Sequence, residues 1–215
     1  AFVFQGLLCS VSDQHEQGQA FGKLALELER QRPDRSQYAP VIHLYVNFIN
    51  HWTRSLDSGL ELGLRAVNVA LQHGQFDYAG WLAMNGCLGL FYRGLPLPGA
   101  LQRSVEQLRL VRDTICYDDA ATVTGAVVQV MGRLSGQGEL LEELGLDGVE
   151  VEDLAASLEH YRVARVHVYL LYMIHAVLTE DFATARRHAD ALRPELATAA
   201  GMVALAEFAL FETVL

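Results

Sequence analysis

The chain has 215 residues, of which 51% are hydrophobic, and this length and composition allow a large buried core. Its 16 Lys and Arg residues stand against 26 Asp and Glu residues, which gives a net charge of −10. Because nucleic acids and anionic lipids attract basic surfaces, this acidic balance argues against both kinds of partner.

The predicted elements are helices, since apolar residues recur with the helical period and short turns bearing Asp, Gly or Pro separate the apolar segments. β-Branched residues cluster only around residues 123–130, so the strand signal is weak. We expect the helices to form antiparallel pairs. In chain order these are Phe2–Ser12 with Glu16–Arg32, Tyr38–Trp52 with Ser55–Gln72, Phe76–Tyr92 with Pro98–Thr114, Asp118–Leu134 with a degenerate partner, and Glu159–Leu178 with Phe182–Leu196, and a last helix begins near Gly201.

Small residues recur at positions i and i+4 in the second helix of successive pairs, where they lie on one helical face. The groups are Gly18, Gly22 and Ala25, then Gly59, Gly63 and Ala66, then Ala100 and Ser104, at intervals of about 41 residues, with Ala185 and Ala189 further along. Glycine inside a helix costs about 1 kcal/mol, so its recurrence indicates the close approach of a neighbouring helix. The pattern predicts an all-α fold, an α-solenoid of antiparallel helical hairpins.

This pattern resembles the tetratricopeptide repeat, because large and small residues fall on that motif's packing positions in two of the pairs. In the first pair these residues are Phe2, Gly6, Cys9, Gly18, Gly22 and Ala25, and in the fifth they are Tyr169, Tyr172, Met173, Ala176, Phe182, Ala185 and Ala189. The period is about 41 residues rather than about 34, and the proline that ends the repeat is kept only at Pro33 and Pro194. The resemblance implies one tetratricopeptide-like domain over residues 1–215, with longer helices than the standard repeat.

The stretch 136–153 interrupts the array of helices. It combines seven acidic residues and four glycines with no basic residue. We expect a solvated, mobile insertion that replaces a repeat helix, in which the run LLEEL forms one or two helical turns. The alternative is an acidic docking segment for a partner.

The ends of the chain and its cysteines indicate where it acts. The first residue is Ala1, the opening segment lacks a basic region, and the final AEFALFETVL stops inside an apolar pattern, so both ends are expected to be cut from a longer helical array. Cys9, Cys87 and Cys116 are widely spaced, which favours reduced, buried thiols. Since the chain has no apolar run of about 20 residues, we expect a cytoplasmic fragment of a larger protein. Its open terminal helices would then be able to pair in a homodimer.

Three segments carry a more specific resemblance: NHW at Asn50–Trp52, GQFDYAG at Gly74–Gly80 and FYRGLPL at Phe91–Leu97. They resemble the helical region of large bacterial multidomain signalling proteins. Those proteins combine a Ser/Thr kinase-like domain, a central nucleotide-binding ATPase, helical repeats, and GAF and sensor histidine kinase domains. The resemblance runs along the whole chain and is weakest at the acidic insertion. It implies a regulatory or scaffolding array between catalytic modules, and it places no catalytic residue in this segment.

Catalytic motifs are not found in the sequence, which has no phosphate-binding G-x-x-x-x-G-K-[ST] loop, no kinase signature and no G-x-S-x-G elbow. His160, His167 and His175 share one predicted helix, but successive members are roughly 10–12 Å apart along its axis, too far for one metal ion. We expect these histidines to be hydrogen-bonded at helix interfaces. We predict no catalytic residue, metal ion or cofactor in this chain. Asp181 is expected to cap the helix that begins at Phe182.

A candidate binding surface lies where the first helices of two neighbouring pairs end. In tetratricopeptide-like arrays these helices line the concave face, where amides, aromatic rings and Arg side chains are able to grip a peptide backbone and a carboxylate. The candidate residues are Asn50, His51, Trp52, Arg54, Asn85, Tyr92 and Arg93. Two structural alternatives stand beside this prediction: Trp52 and Tyr92 pack against the next repeat, and Asn50 and Asn85 satisfy buried backbone groups in turns.

Three hypotheses follow for the function. The first is a protein-interaction and regulatory scaffold within a bacterial signal-transduction ATPase or kinase, which binds a protein, a peptide or neighbouring domains of the same chain. The alternative is a small-molecule-sensing helical-repeat domain of a transcriptional activator, which requires a closed pocket of several hundred Å³. The third is an all-α enzyme, which requires a cleft with tuned acid and base side chains, and the sequence supplies no such set.

Overall fold

The structure is a computed structural model that describes residues 1–31 and 35–215. Within these ranges the chain consists of helices and turns, without a strand, so the all-α prediction is confirmed. Two positions named in the sequence analysis, Arg32 and Pro33, lie outside the described residues. None of the helices in the described part of the chain combines the length and the apolar character that a membrane crossing needs.

The α-helices follow one another along the chain with short connections. They are α1 (Phe2–Val11), α2 (His15–Gln31), α3 (Arg35–Phe48), α4 (Leu56–Gln72), α5 (Phe76–Tyr92), α6 (Leu97–Arg109), α7 (Asp118–Leu134), α8 (Gly138–Glu143), α9 (Val151–Ser157), α10 (Arg162–Leu178), α11 (Phe182–Leu192) and α12 (Ala204–Glu212). Two 3₁₀ segments and one π-helical segment add to these, at Asn50–Trp52, Arg193–Ala199 and Leu110–Ile115. The predicted and observed bounds of α4, α5 and α7 agree to within one residue.

Several predicted helices are divided or shortened in the structure. The helix predicted over Pro98–Thr114 ends as α6 at Arg109, and the one predicted over Phe182–Leu196 ends as α11 at Leu192. The helix predicted to reach Trp52 ends at Phe48, and Asn50–Trp52 forms a separate 3₁₀ turn that changes the chain direction before α4. The helix predicted from Glu159 begins at Arg162, because a backbone turn precedes it and the short helix α9 precedes that turn. The sequence pattern had merged these turns with the helices beside them.

The end of α6 shows how a local backbone conformation stops a helix and exposes a cysteine. After Arg109 the chain continues through the π-helical segment Leu110–Ile115 and ends at Cys116, which adopts the left-handed conformation with a φ of 56°. Cys9 and Cys87 are buried free thiols, as predicted. The prediction that Cys116 is also buried is wrong, because this residue lies in the exposed turn.

The helices pack in consecutive pairs, which we call hairpins, and as a row. Within hairpins, α1 packs on α2, α3 on α4, α5 on α6, and α10 on α11. The first helices also pack side by side in the order α1, α3, α5, α7, α10 and α12, which we call the first-helix row. The second helices α2, α4 and α6 each contact the first helix of the following hairpin. After α7, the short helices α8 and α9 take the place of a second helix.

The first small residue of a second helix lies against the first helix of its own hairpin. A Cβ atom built on Gly18 would lie 2.9 Å from the carbonyl oxygen of Gly6 in α1. A Cβ atom built on Gly59 would lie 2.9 Å from Nδ2 of Asn50 and 3.5 Å from Cβ of Val46. A larger side chain at either position would push the two helices of the hairpin apart, because the interface is already close-packed.

The second small residue contacts the first helix of the next hairpin, and Gly63 also contacts its own hairpin, where a Cβ atom would lie 3.7 Å from Val46 of α3. The pairs are Gly22 with Tyr45 of α3, Gly63 with Leu82 of α5, and Ser104 with Met131 of α7. A Cβ atom built on Gly22 would lie 2.7 Å from the ring of Tyr45, and one built on Gly63 would lie 3.9 Å from Leu82. The Oγ atom of Ser104 lies 3.9 Å from Sδ of Met131. The side-chain positions of Gly22, Gly63 and Ser104 therefore all lie within 4 Å of a side chain from the first helix of the following hairpin.

The acidic stretch 136–153 is anchored to the helices beneath it. Its acidic side chains are exposed, as expected for a solvated segment, but Leu141 is buried. Gln129 of α7 donates hydrogen bonds from Nε2 to the carbonyl oxygens of Leu146 and Val149, at 2.7 Å and 2.9 Å. The stretch therefore packs on α7 instead of forming a fully solvated insertion, and its role as a docking segment stays a prediction.

Candidate binding cavity

The C-terminal segment, defined as residues 200–208, folds back onto the ends of α1 and α3. The indole N–H of Trp52 donates a hydrogen bond of 3.0 Å to the carbonyl oxygen of Gly201. A Cβ atom built on Gly201 would lie 2.8 Å from Val11 and 3.6 Å from Phe48, and the φ of 80° at this residue favours glycine. The chain's own backbone thus covers part of the predicted binding surface.

A cavity of about 60 Å³ lies beneath this segment, between α3, α4, α5 and α10, with Met202 and Val203 on its C-terminal side. A space of this size holds about four to six water molecules. From the predicted set of site residues, the cavity brings together Asn50, His51, Asn85 and Tyr92. It is also lined by His167 of α10, which the sequence analysis did not assign to this site.

The remaining predicted residues, Trp52, Arg54 and Arg93, lie outside the cavity wall. The ring of Trp52 stacks on that of His15, with centroids 4.6 Å apart and planes 11° apart. Arg54 is exposed, and Arg93 forms an ion pair with Asp57 at the start of α4. Trp52 therefore contacts the preceding hairpin and the C-terminal segment, whereas the structural alternative expected it to pack on the next repeat.

The two asparagines of the cavity wall are held in place by hydrogen bonds. Asn50 donates from Nδ2 to Oγ of Ser58 at 2.9 Å, which joins the 3₁₀ turn to the first turn of α4. Asn85 donates from Nδ2 to the carbonyl oxygen of Trp81, one turn earlier in α5, at 2.7 Å. These bonds go to a side chain and to a backbone carbonyl within a helix. The structural alternative had expected both asparagines to bond to backbone groups in turns.

Three residues of the cavity wall carry buried polar atoms for which the described residues supply no hydrogen-bond partner. These atoms are the hydroxyl oxygen of Tyr92, Nε2 of His51 and both ring nitrogens of His167. His167 is the most enclosed of the three, with 2% of its surface exposed. An unmet buried polar group costs about 1–3 kcal/mol, so water or a ligand in the cavity would stabilise the fold.

Burial keeps the cavity wall uncharged. Desolvation disfavours the imidazolium form and lowers the pKa of His51 and of His167 to about 4. Burial, with a smaller contribution from Glu207, raises the pKa of the Tyr92 phenol far above its usual range. At neutral pH each imidazole therefore presents one N–H donor and one acceptor nitrogen, and the phenol presents both functions on one oxygen.

His167 shows what the sequence reasoning missed. It was expected, with His160 and His175, to be hydrogen-bonded at a helix interface. His160 lies before α10 and pairs through Nε2 with the carboxylate of Asp119 at 3.1 Å. For His167 the expectation is wrong, since the described residues offer neither ring nitrogen a partner. The available signal was an imidazole between two valines, Val166 and Val168, in α10.

A second cleft, of about 210 Å³, collects titratable side chains away from the cavity. Arg133, His175 and His188 line it together with Glu150 and Glu152 of the acidic stretch. The residues that line the cavity, in contrast, include no Asp, Glu, Lys or Arg. Within residues 1–31 and 35–215, no group of three or more His, Cys, Asp or Glu side chains is arranged to hold a metal ion.

Comparisons with known proteins assign the chain to no family. No family model matches it, and searches of the curated proteins and of the solved structures found no match. Its function must therefore be inferred from its own residues.

Proposed function

We propose that this chain is a non-catalytic protein-interaction scaffold, a tetratricopeptide-like α-solenoid whose hairpins repeat about every 41 residues. The proposal is supported by the contacts of Gly22 with Tyr45 and of Ser104 with Met131, each on the first helix of the following hairpin. Close contacts repeated in this way stack hairpins in one direction, so that successive first helices form a continuous surface. In this proposal residues 1–215 act as one domain, and the first-helix row is its interaction surface.

The observation that carries the proposal is the way in which the chain holds its own C-terminal segment. Trp52 binds the backbone carbonyl of Gly201, and Met202 and Phe208 pack in the same apolar cluster as Phe48. The surface therefore accepts a stretch of small and apolar residues through one backbone hydrogen bond and apolar contacts. A peptide segment of the same character, from a partner protein or from a neighbouring domain, would bind there in place of the C-terminal segment.

The resemblance carried by NHW, GQFDYAG and FYRGLPL supports a bacterial signal-transduction ATPase or kinase as the parent protein. In such a protein, partner binding on the array would bias the attached catalytic modules. The proposal places the chain in the cytoplasm, with no cofactor and with no nucleic-acid or membrane partner. Pairing of two copies through the terminal helices is part of it, because Phe4 and Leu8 of α1 and Leu210 of α12 are more than half exposed.

The test is affinity capture by the full chain from a lysate of its source organism, followed by direct binding measurements with the captured partner. Arg54 and Arg93 flank Trp52 and Tyr92, so Arg54→Glu with Arg93→Glu reverses charge beside the interaction surface. We expect this double variant to bind the partner at least about ten-fold more weakly, since like charges at an interface slow association and weaken the complex.

The matched control is Arg109→Glu, which makes the same change at an exposed position of α6 that pairs with Glu143. The control should bind the partner as the wild-type chain does. A partner that binds the double variant and the wild type equally, or the absence of any specific partner, would contradict the scaffold proposal.

A second candidate function, small-molecule sensing, is favoured by one observation, the cavity whose wall carries unmet polar groups. Its volume of about 60 Å³ is well below the several hundred Å³ typical of pockets for metabolites. A sensed ligand would therefore have to be very small.

A further inference from the structure

We propose that the cavity beneath Met202 and Val203 is a binding site for a small, uncharged, polar organic molecule, with His167 and Tyr92 as the groups that hydrogen-bond to it. This inference rests on the second candidate function, and it does not depend on the binding of a protein partner. It concerns a site inside the helix packing, whereas the scaffold proposal concerns the surface of the first-helix row.

The unmet polar atoms indicate that the cavity is built for an occupant. His167 is almost fully enclosed, and both of its ring nitrogens, like the hydroxyl of Tyr92, find no partner among the described residues. Groups of this kind are rarely left unpaired in folded proteins, because a ligand or water recovers the cost of their desolvation. Two such residues, contributed by α5 and α10, line one small space.

The residues that line the cavity disfavour a charged ligand. The polar residues that line the cavity are asparagines, histidines and a tyrosine, and the remaining lining residues are apolar or glycine. An ion placed there would lose its hydration without gaining a counter-charge, which is expensive in a buried site. A neutral ligand that carries both a donor and an acceptor matches a neutral imidazole and a phenol, each of which offers one of each.

The volume of the cavity limits the size of the ligand that it is able to hold. About 60 Å³ corresponds to about four to six water-sized positions, and therefore to an organic molecule with about that number of non-hydrogen atoms. Primary amides of this size, such as acetamide, combine an N–H donor with a carbonyl acceptor. Acetate has nearly the same shape but carries a negative charge, so the two molecules form a matched pair of probes.

The experiment is an NMR titration of the full chain with acetamide and, separately, with acetate at pH 7.5. The signals to follow are the methyl group of Met202 and the imidazole of His167. We expect acetamide to shift both signals with saturation in the millimolar range, as suits so few contacting atoms. Acetate should produce no saturable shift at the same concentrations.

Two variants locate the site. His167→Leu removes the imidazole at similar volume and should weaken acetamide binding at least about ten-fold, because the ligand would lose its hydrogen bonds in a buried site. Gly63→Ala adds a methyl group to the cavity wall, where it would lie in ordinary contact, 3.7 Å from Val46 and 3.9 Å from Leu82. This variant should fold normally and weaken binding by reducing the space, so it keeps the test decisive if His167→Leu fails to fold.

Gly99→Ala is the control, because it makes the same change in α6 where nothing lies within 4 Å of the new methyl group. It should bind acetamide as the wild type does. Three results would overturn the inference. The first is no saturable shift with acetamide, which would mean that the cavity holds only water. The other two are acetate binding as tight as acetamide binding, and acetamide binding by Gly63→Ala as tight as by the wild type. Each of these results leaves the scaffold proposal standing, since capture of a protein partner is measured separately.

Discussion

His167 is the residue whose environment is most at odds with its chemistry. It lies in the middle of α10, which packs against α7, α11 and α12, and it lines the cavity. Burial explains why its pKa falls to about 4, since no nearby carboxylate counteracts desolvation in the described structure. The fold therefore contains a neutral imidazole whose protonation works against folding.

This predicts a loss of stability in mild acid. The unfolded chain titrates His167 near pH 6.5 and the folded chain near pH 4, so between these values only the unfolded chain gains the proton. The free energy of unfolding should then fall as the pH decreases from 7 to 5, and His167→Leu should reduce this fall by about 2 kcal/mol. Urea unfolding at the two pH values measures it.

His73→Leu, which changes an exposed imidazole after α4, is the control for that measurement and should keep the wild-type pH dependence. An identical fall for the His167→Leu variant and the wild type would show that His167 is not held neutral in the folded chain.

At the scale of elements, the hairpin of α1 and α2 depends on direct contact between two backbones. Gly6 and Gly18 meet so closely that a Cβ atom on Gly18 would lie 2.9 Å from the carbonyl oxygen of Gly6. A side chain is able to rotate away from such a contact, but backbone is not, so the two helices themselves would have to separate. The helix cost of glycine is accepted here because the interface requires it.

Gly18→Ala should therefore destabilise the chain by about 1–3 kcal/mol, although alanine is the better helix former. Gly99→Ala, in open space within α6, should leave the stability unchanged or raise it by up to about 1 kcal/mol. Thermal and urea unfolding of both variants gives the comparison. If Gly18→Ala were as stable as Gly99→Ala, the close approach of α1 and α2 would not be required for the fold.

For the whole molecule, the contact between Trp52 and Gly201 joins positions that are 149 residues apart in the sequence. It fixes the C-terminal segment over the ends of α1 and α3 and, with Met202 and Val203, closes one side of the cavity. The C-terminal segment is therefore a cover shared by the proposed interaction surface and the cavity. In the scaffold proposal, a peptide bound on the surface would displace this cover and open the cavity.

Trp52→Phe keeps an aromatic ring on His15 but removes the N–H that holds Gly201. The loss of one hydrogen bond of about 1 kcal/mol should raise the rate of amide hydrogen exchange in residues 200–208 about five-fold, with little change elsewhere. Trp81→Phe is the control, because it removes an equivalent indole bond, to the hydroxyl of Tyr117, away from this segment. Equal exchange of residues 200–208 in both variants would show that the Trp52 bond does not hold the cover.

Local sequence features predicted the helical character of the chain, the bounds of several helices and part of the site. The bounds of α5 and α7 match the prediction, and Asp181 caps α11 as expected, accepting a hydrogen bond of 3.1 Å from the backbone N–H of Thr184. These features depend on neighbours a few residues away, which a periodic pattern records. Of the predicted site residues, Asn50, His51, Asn85 and Tyr92 meet in one cavity, because α5 packs beside α3 and the 3₁₀ turn that follows it.

The amino-acid sequence by itself determined the all-α character of the chain and the positions of small residues between helices, because helical period and side-chain size are local properties. Only the tertiary structure decided that the C-terminal segment lies on Trp52 and that His167 faces a cavity without a described partner. Both depend on contacts between residues far apart in the chain, and such contacts are set by how the helices stack, which no local pattern encodes.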